Sequence, residues 1–231
     1  MFLFKHNDWE NTPEVFSGRA TVVSIENKGK LWSYLSELTE ACEGGESGFL
    51  LTDKKYEKQS IQKFCRIETN LPGLTLNSKK LITALYKKYG AITAEPEYEY
   101  EFKSKVEELY CFCKKISTDV GYDVVLNEDC DAGGVFKLFS LELKENYKRL
   151  LEKLTAYVNA CAELLKTKIF IFLFLTKFLS NEELKLFLKH CEIQDVSLIL
   201  IEDGSVNIKT IENIEIQELI IDSDLCEIFR K

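Results

Sequence analysis

Apolar positions fall into two kinds of pattern along this chain, and the densest of them marks the centre of the fold. Lys168 to Asp203 reads KIFIFLFLTKFLSNEELKLFLKHCEIQDVSLILIED, with an apolar run at Ile169–Leu175, an amphipathic stretch, and a second apolar run at Val196–Ile201. A strand that is apolar on both faces has both faces covered, and a helix between two such strands is the crossover of a parallel sheet. Ser180 or Asn181 supplies a helix cap, Glu182 and Glu183 sit at the positive helix end, and Leu184, Phe187 and Leu188 face inward. A membrane span needs about 20 apolar residues. Lys168 and Lys177 bracket far fewer.

Upstream, Ala20–Ile25 (ATVVSI) predicts a strand, and Leu31, Leu35, Leu38 and Cys42 predict a helix that Gly44-Gly45 ends. The turn between them, SIENKGKL, has the strand–turn–helix order of a phosphate cradle. A P-loop would need Gly at Ser24 and a hydroxyl residue at Leu31, so Gly29-Lys30 is only a remnant of that motif. Gly48–Thr52 and Phe64–Ile67 predict further strands. LNSKKLITALYKKYG then predicts a helix capped by Asn77 or Ser78, with Leu81, Ile82, Leu85, Tyr86 and Tyr89 apolar and Gly90 as its stop.

From Pro96 to Leu165 the period changes. Phe102, Val106, Leu109, Cys113 and Ile116, and again Leu143, Tyr147, Leu150, Leu154, Tyr157, Cys161 and Leu164, are spaced alternately by 4 and 3 residues. That is a heptad seam, and two such segments predict an antiparallel elongated helical arm. The expected fold class is therefore α/β: a P-loop-like head formed by residues 1–95 and 166–231, with a heptad-patterned arm inserted at 96–165. Leu219–Ile221 predicts a last short strand.

Composition and charge change this picture in three places. With 231 residues, 45% of them hydrophobic, and only 3 Pro and 11 Gly, the chain can bury a full core. The start MFLFKHNDWE has no secretory pattern, so a cytoplasmic location is expected, and most of the eight cysteines read as buried thiols. The net charge of −8 excludes a protein coated in basic residues, but not a local basic face. Lys79, Lys80, Lys87 and Lys88 crowd the ends of one predicted helix. Lys103 and Lys114 lie eleven residues apart on the first arm helix, and Lys144 and Lys148 four apart on the second. With histidines only at positions 6 and 190, a hydrolytic triad has no support.

The bend of the arm, STDVGYDVVLNEDCDAGG, gathers Asp119, Asp123, Glu128, Asp129 and Asp131. Hard oxygen ligands at this density suit calcium. Asn127, Asp129 and Asp131 imitate the start of an EF-hand loop, but Ala132 and Leu138 occupy the positions of its Gly and closing Glu. Asp119 and Asp123 share a face if the helix extends that far, with Glu128 or Asp129 as further ligands.

The LNSKKLITALYKKYG helix, the LSNEELKLFLKHCEIQDVSLILIED unit and the terminal IIDSDLCEIF together resemble the Csn-two family, the small CRISPR-associated adaptation proteins of type II-A systems, over roughly Arg19–Phe229. The resemblance implies an α/β head related to P-loop folds without nucleotide hydrolysis, a helical leg, and a homotetrameric ring. It also implies binding of double-stranded DNA ends within the ring, calcium between leg and head, and action with the CRISPR integrase complex and effector nuclease in spacer acquisition. The family's calcium carboxylates are denser at the start of the bend, where Lys114, Lys115 and Gly121 stand here. Two other readings stay open: a degenerate nucleotide-binding regulator using Gly29-Lys30, and a coiled-coil interaction protein.

Overall fold

A computed structural model describes residues 1–127, 130–206 and 215–230. The chain divides into two compact units, Met1–Leu76 with Glu145–Lys231, and Asn77–Lys144. In the first, strands β1 (Phe2–His6), β2 (Glu14–Val15), β3 (Ala20–Ile25), β4 (Phe49–Asp53), β5 (Lys58–Gln59) and β6 (Cys65–Glu68) alternate with helices α1 (Lys28–Glu43) and α2 (Ile61–Phe64). The second unit contributes α3 (Lys79–Thr93), α4 (Pro96–Ser117) and α5 (Ala132–Leu138). The chain then completes the first unit with α6 (Leu150–Leu165), β7 (Ile169–Leu173), α7 (Asn181–Ile193), β8 (Ser197–Glu202), β9 (Ile216–Ile221) and β10 (Glu227–Arg230).

The main sheet has six strands in the order β10-β9-β3-β8-β7-β6. Every neighbouring pair from β9 to β6 is parallel, and β10 adds antiparallel at the edge. β7 and β8 pair directly, Ile169 opposite Ser197 and Leu173 opposite Ile201, with α7 as their crossover. β3 and β8 are buried at every position, as strands covered on both sides must be.

One face of this sheet, with Val23, Ile25, Ile171, Ile199 and Leu219, packs against α1 and the antiparallel sheet β2-β1-β4-β5. On the other face Phe170 meets Tyr157 of α6 at 6.4 Å between ring centroids, and Phe172 meets Phe187 of α7 at 5.9 Å. α7 opens with a full capping box: the Ser180 hydroxyl accepts from the Glu183 amide while the Glu183 carboxylate accepts from the Ser180 amide.

The expected arm is redrawn. α6 does not begin at Leu143 but at Leu150, and Leu154, Tyr157, Val158 and Cys161 are buried in the first unit. Its 4-and-3 spacing is that of any helix laying one stripe on a sheet, which over a few turns is indistinguishable from a coiled-coil seam. The residues before it are drawn into other bonds. Leu143 exchanges two hydrogen bonds with the Asn77 side chain, at 2.8 and 2.9 Å, and Glu145 accepts from the Thr75 hydroxyl at 2.7 Å and from the Leu76 amide. The second unit therefore spans 77–144, not 96–165, and includes α3.

Gly90 is likewise passed through. α3 ends at Thr93, where Pro96 forces Glu95 into an extended conformation with φ −69° and ψ 145°. The two-residue strands β2 and β5 and the edge strand β10 are too short to leave a periodic signal.

Candidate nucleic-acid interface

α3 is capped by the Ser78 hydroxyl, which accepts from the Leu81 amide, and it turns Leu81 and Leu85 into its core. At about 100° per residue Lys79, Lys80 and Lys87 fall away from these leucines, whereas Lys88 falls beside Leu81; Lys80 and Lys87, seven residues apart, come within about 20° of each other around the axis. Lys79, Lys80, Lys87 and Lys88 are all exposed. Lys79 and Lys80 occupy the first turn, where the helix dipole disfavours positive charge, so the helix gains nothing from placing them there.

α4 has no fully buried residue. Lys103 and Lys114, eleven residues apart, also fall within about 20° around its axis, and both are exposed. Lys103 holds Glu99 at 2.6 Å, and that hydrogen bond keeps the Glu99 carboxyl below its ordinary range. Lys114 lies 5.9 Å from the Tyr110 ring. The pairing expected of Lys144 and Lys148 fails. Both are exposed, but they precede α6 rather than lie on a helix, and the boundary between units falls between them.

Three exposed lysines that spacing did not single out also belong to the second unit: Lys105, Lys115 and Lys137. Lys105 and Lys115 have no partner at the eleven-residue interval that drew attention to their neighbours. Lys137 sits on the seven-residue α5 and lies 5.9 Å from the Tyr86 ring.

The carboxylate bend does not assemble in the way its spacing implied. α4 stops at Ser117, so Asp119 and Asp123 are not stacked on one helix face, and both are exposed. Glu128 and Asp129 lie outside the described residues. Asp131, the neighbouring carboxylate, is spent on capping α5 by accepting from the Gly134 amide at 2.6 Å. Among the described residues no three His, Cys, Asp or Glu side chains come together as a metal site.

At the turn after β3, Asn27 caps α1 by accepting from the Lys30 amide at 3.1 Å and donates to the Ser223 carbonyl at 3.1 Å. Lys30 does not project as a free phosphate ligand. Its ammonium sits 2.7 Å from Asp8 and 5.4 Å from the Tyr34 ring centroid. The hydrogen bond to Asp8 raises the Lys30 pKa and depresses that of Asp8. A phosphate here would have to break this pair and displace the cap.

Among the described residues no helix is long and apolar enough to cross a membrane. The family model described as CRISPR-associated protein (Cas_Csn2) matches residues 43–225. No curated protein matches the sequence. Among solved structures, the crystal structure of Stu0660 of Streptococcus thermophilus superposes with a TM-score of 0.58 at 13% identity, covering 87% of this chain and 68% of that one, a likeness of fold. A putative ABC transporter ATP-binding protein from Pyrococcus furiosus aligns over 89% of this chain and 92% of that one, but its TM-score of 0.39 at 8% identity carries no argument.

Proposed function

Because the chain belongs to the Cas_Csn2 family of CRISPR-associated proteins, we propose that it is a non-enzymatic protein that binds double-stranded DNA without regard to sequence, preferentially at linear ends, and serves spacer acquisition as a homotetrameric ring. The observation that carries this reading is the recurrence of exposed lysines on one face of α3 and of α4, interleaved on α4 with glutamates, in a chain whose net charge is −8. Lys80 with Lys87, and Lys103 with Lys114, form same-face pairs on helices whose apolar residues point elsewhere. Ammonium groups so placed suit phosphates, which give affinity without sequence information. A ring multiplies a few lysines per chain by its number of subunits. The integrase complex and effector nuclease are the partners expected of such a protein.

The relation to P-loop folds is part of the same proposal. Its support is the parallel sheet with β3, the first strand of that sheet in sequence, in its interior and a helix that starts after a two-residue turn. The occupied Lys30 and the capped α1 argue against the alternative of a nucleotide-binding regulator.

Gel shifts test the DNA reading. Linear duplex of any sequence should bind, and relaxed circles should bind more weakly. The double variant Lys80→Glu, Lys87→Glu should lose affinity and flatten the dependence of log K on log salt. Equal affinity for circles and linear duplex removes end threading, and an unchanged double variant moves the contact off α3. Calcium is proposed only as a structural ion that draws on Asp119, Asp123 and at least one of Glu128 and Asp129. A melting temperature that is the same in calcium and in chelator removes it.

A further inference from the structure

Between α3, α4 and α5 the second unit holds a cleft of about 460 Å3 with largely aromatic walls: Tyr89, Tyr98, Phe102 and Phe136, joined by Glu101 and Lys105. Tyr89 and Phe136 meet edge to face, their centroids 4.7 Å apart and their planes at 67°. Tyr98 remains 44% exposed on α4. Apart from Thr93, which hydrogen-bonds its own helix through the Gly90 carbonyl, the lining offers one carboxylate and one ammonium as polar side-chain groups besides the tyrosine hydroxyls.

We propose that this cleft takes an unstacked nucleobase from a single-stranded overhang of a DNA end. The inference rests on the DNA-binding reading above and extends it from the duplex to the terminus. Base faces stack on aromatic rings whatever their identity, and such platforms work together with positive charge that tracks the backbone. The charge is supplied by Lys105, which among the described residues is ion-paired with Glu108 at 3.1 Å on the same helix, an exposed pair that a phosphate can displace.

Glu101 is the group that a purely apolar ligand would leave idle. A carboxylate accepts from exocyclic amino groups, which cytosine, adenine and guanine carry and thymine lacks. The cleft therefore takes amino-bearing bases in preference to thymine. A base held in a duplex is stacked on both sides and has its amino edge engaged, so only an overhang or a frayed end can fill the cleft.

The test uses the full chain and linear duplexes with blunt ends or with short 3′ overhangs carrying 2-aminopurine at the last position, together with a free single strand carrying the same label. Overhangs should bind about five-fold or more tighter than blunt ends, and the 2-aminopurine emission should be quenched on binding. Tyr98→Ala, at a partly exposed site, should abolish the quenching and the overhang preference while leaving blunt affinity unchanged. Glu101→Gln should narrow the difference between terminal cytosine and terminal thymine.

Equal binding of blunt and overhanging ends without quenching overturns the inference while leaving duplex binding intact. Absence of all duplex binding refutes the underlying reading instead, and quenching of the free single strand then decides the cleft on its own: present, it supports the inference, and absent, it overturns it. If Tyr98→Ala changes only the mass of the assembly, a second copy of the chain fills the cleft and the inference falls.

Discussion

Cys65, Cys161 and Cys191 are buried, and removal from water pushes their thiols up, Cys161 to about 11 and Cys191 to about 12. The thiolate is the reactive form. None of the eight cysteines is in a disulfide, and Cys111, Cys113, Cys130 and Cys226 are exposed, so the expectation of mostly buried thiols holds for fewer than half of them. Iodoacetamide on the native protein near neutral pH should label those four readily and leave Cys65, Cys161 and Cys191 unmodified until denaturant is added. Rapid native labelling of Cys161 would contradict its place on the buried face of α6.

Glu37 offers a second test at the same scale. The His6 ring accepts the Asp8 amide at Nδ1 and donates from Nε2 to Glu37 at 3.0 Å, and this bond is the largest cause of the depressed Glu37 carboxyl. A depressed carboxylate contributes stability that is present above its ordinary value of about 4 and is lost as pH falls through the depressed one. Glu37→Gln should lower the urea midpoint at neutral pH and flatten its fall in acid. Glu202 acts in the opposite sense. Burial raises its carboxyl, so the stability it contributes below the ordinary value is lost as pH rises through the raised one, and Glu202→Gln should not reproduce the Glu37 result.

Among the elements, α7 was the most legible. Ser180, Glu183 and the stripe Leu184, Phe187 and Leu188 announced its cap and its buried face, and the structure has both. Replacing Ser180 with Ala should cost about 1 kcal/mol. Chemical denaturation measures this, and no change would mean that the box is idle. α4 and α6 carry the same spacing in sequence but meet different fates. α6 buries four residues against the first unit, whereas α4 buries none, since periodicity reports that a stripe exists and not what covers it. The Lys103–Lys114 pair on α4 is legible from spacing because a helix converts an interval of eleven into a shared face, whereas the lysines of α3 announce only a crowd at the helix ends. Lys144 and Lys148 do not share a helix face because their segment is not helical, its groups being engaged by Asn77, Thr75 and Leu76.

For the whole molecule, the exposed apolar residues of α4, including Leu109, Phe112 and Ile116, lie on one side of that helix and invite cover by a further copy. Light scattering should return a tetramer that dissociates on dilution. A monomer at every concentration would remove both the proposed ring and the multiplication of lysines on which the proposed DNA binding rests.

The α/β class, the parallel pairing of β7 with β8 and the lack of P-loop residues in the turn after β3 were determined by the sequence alone, because apolar runs, caps and missing glycines are local facts that no distant contact reverses. Tertiary structure decided which helices belong to which unit, the small antiparallel sheet, the pairing of Lys30 with Asp8 and the aromatic cleft. Each of these joins residues far apart in the chain, or assigns a cover to an apolar stripe, and helical periodicity carries no information about the partner.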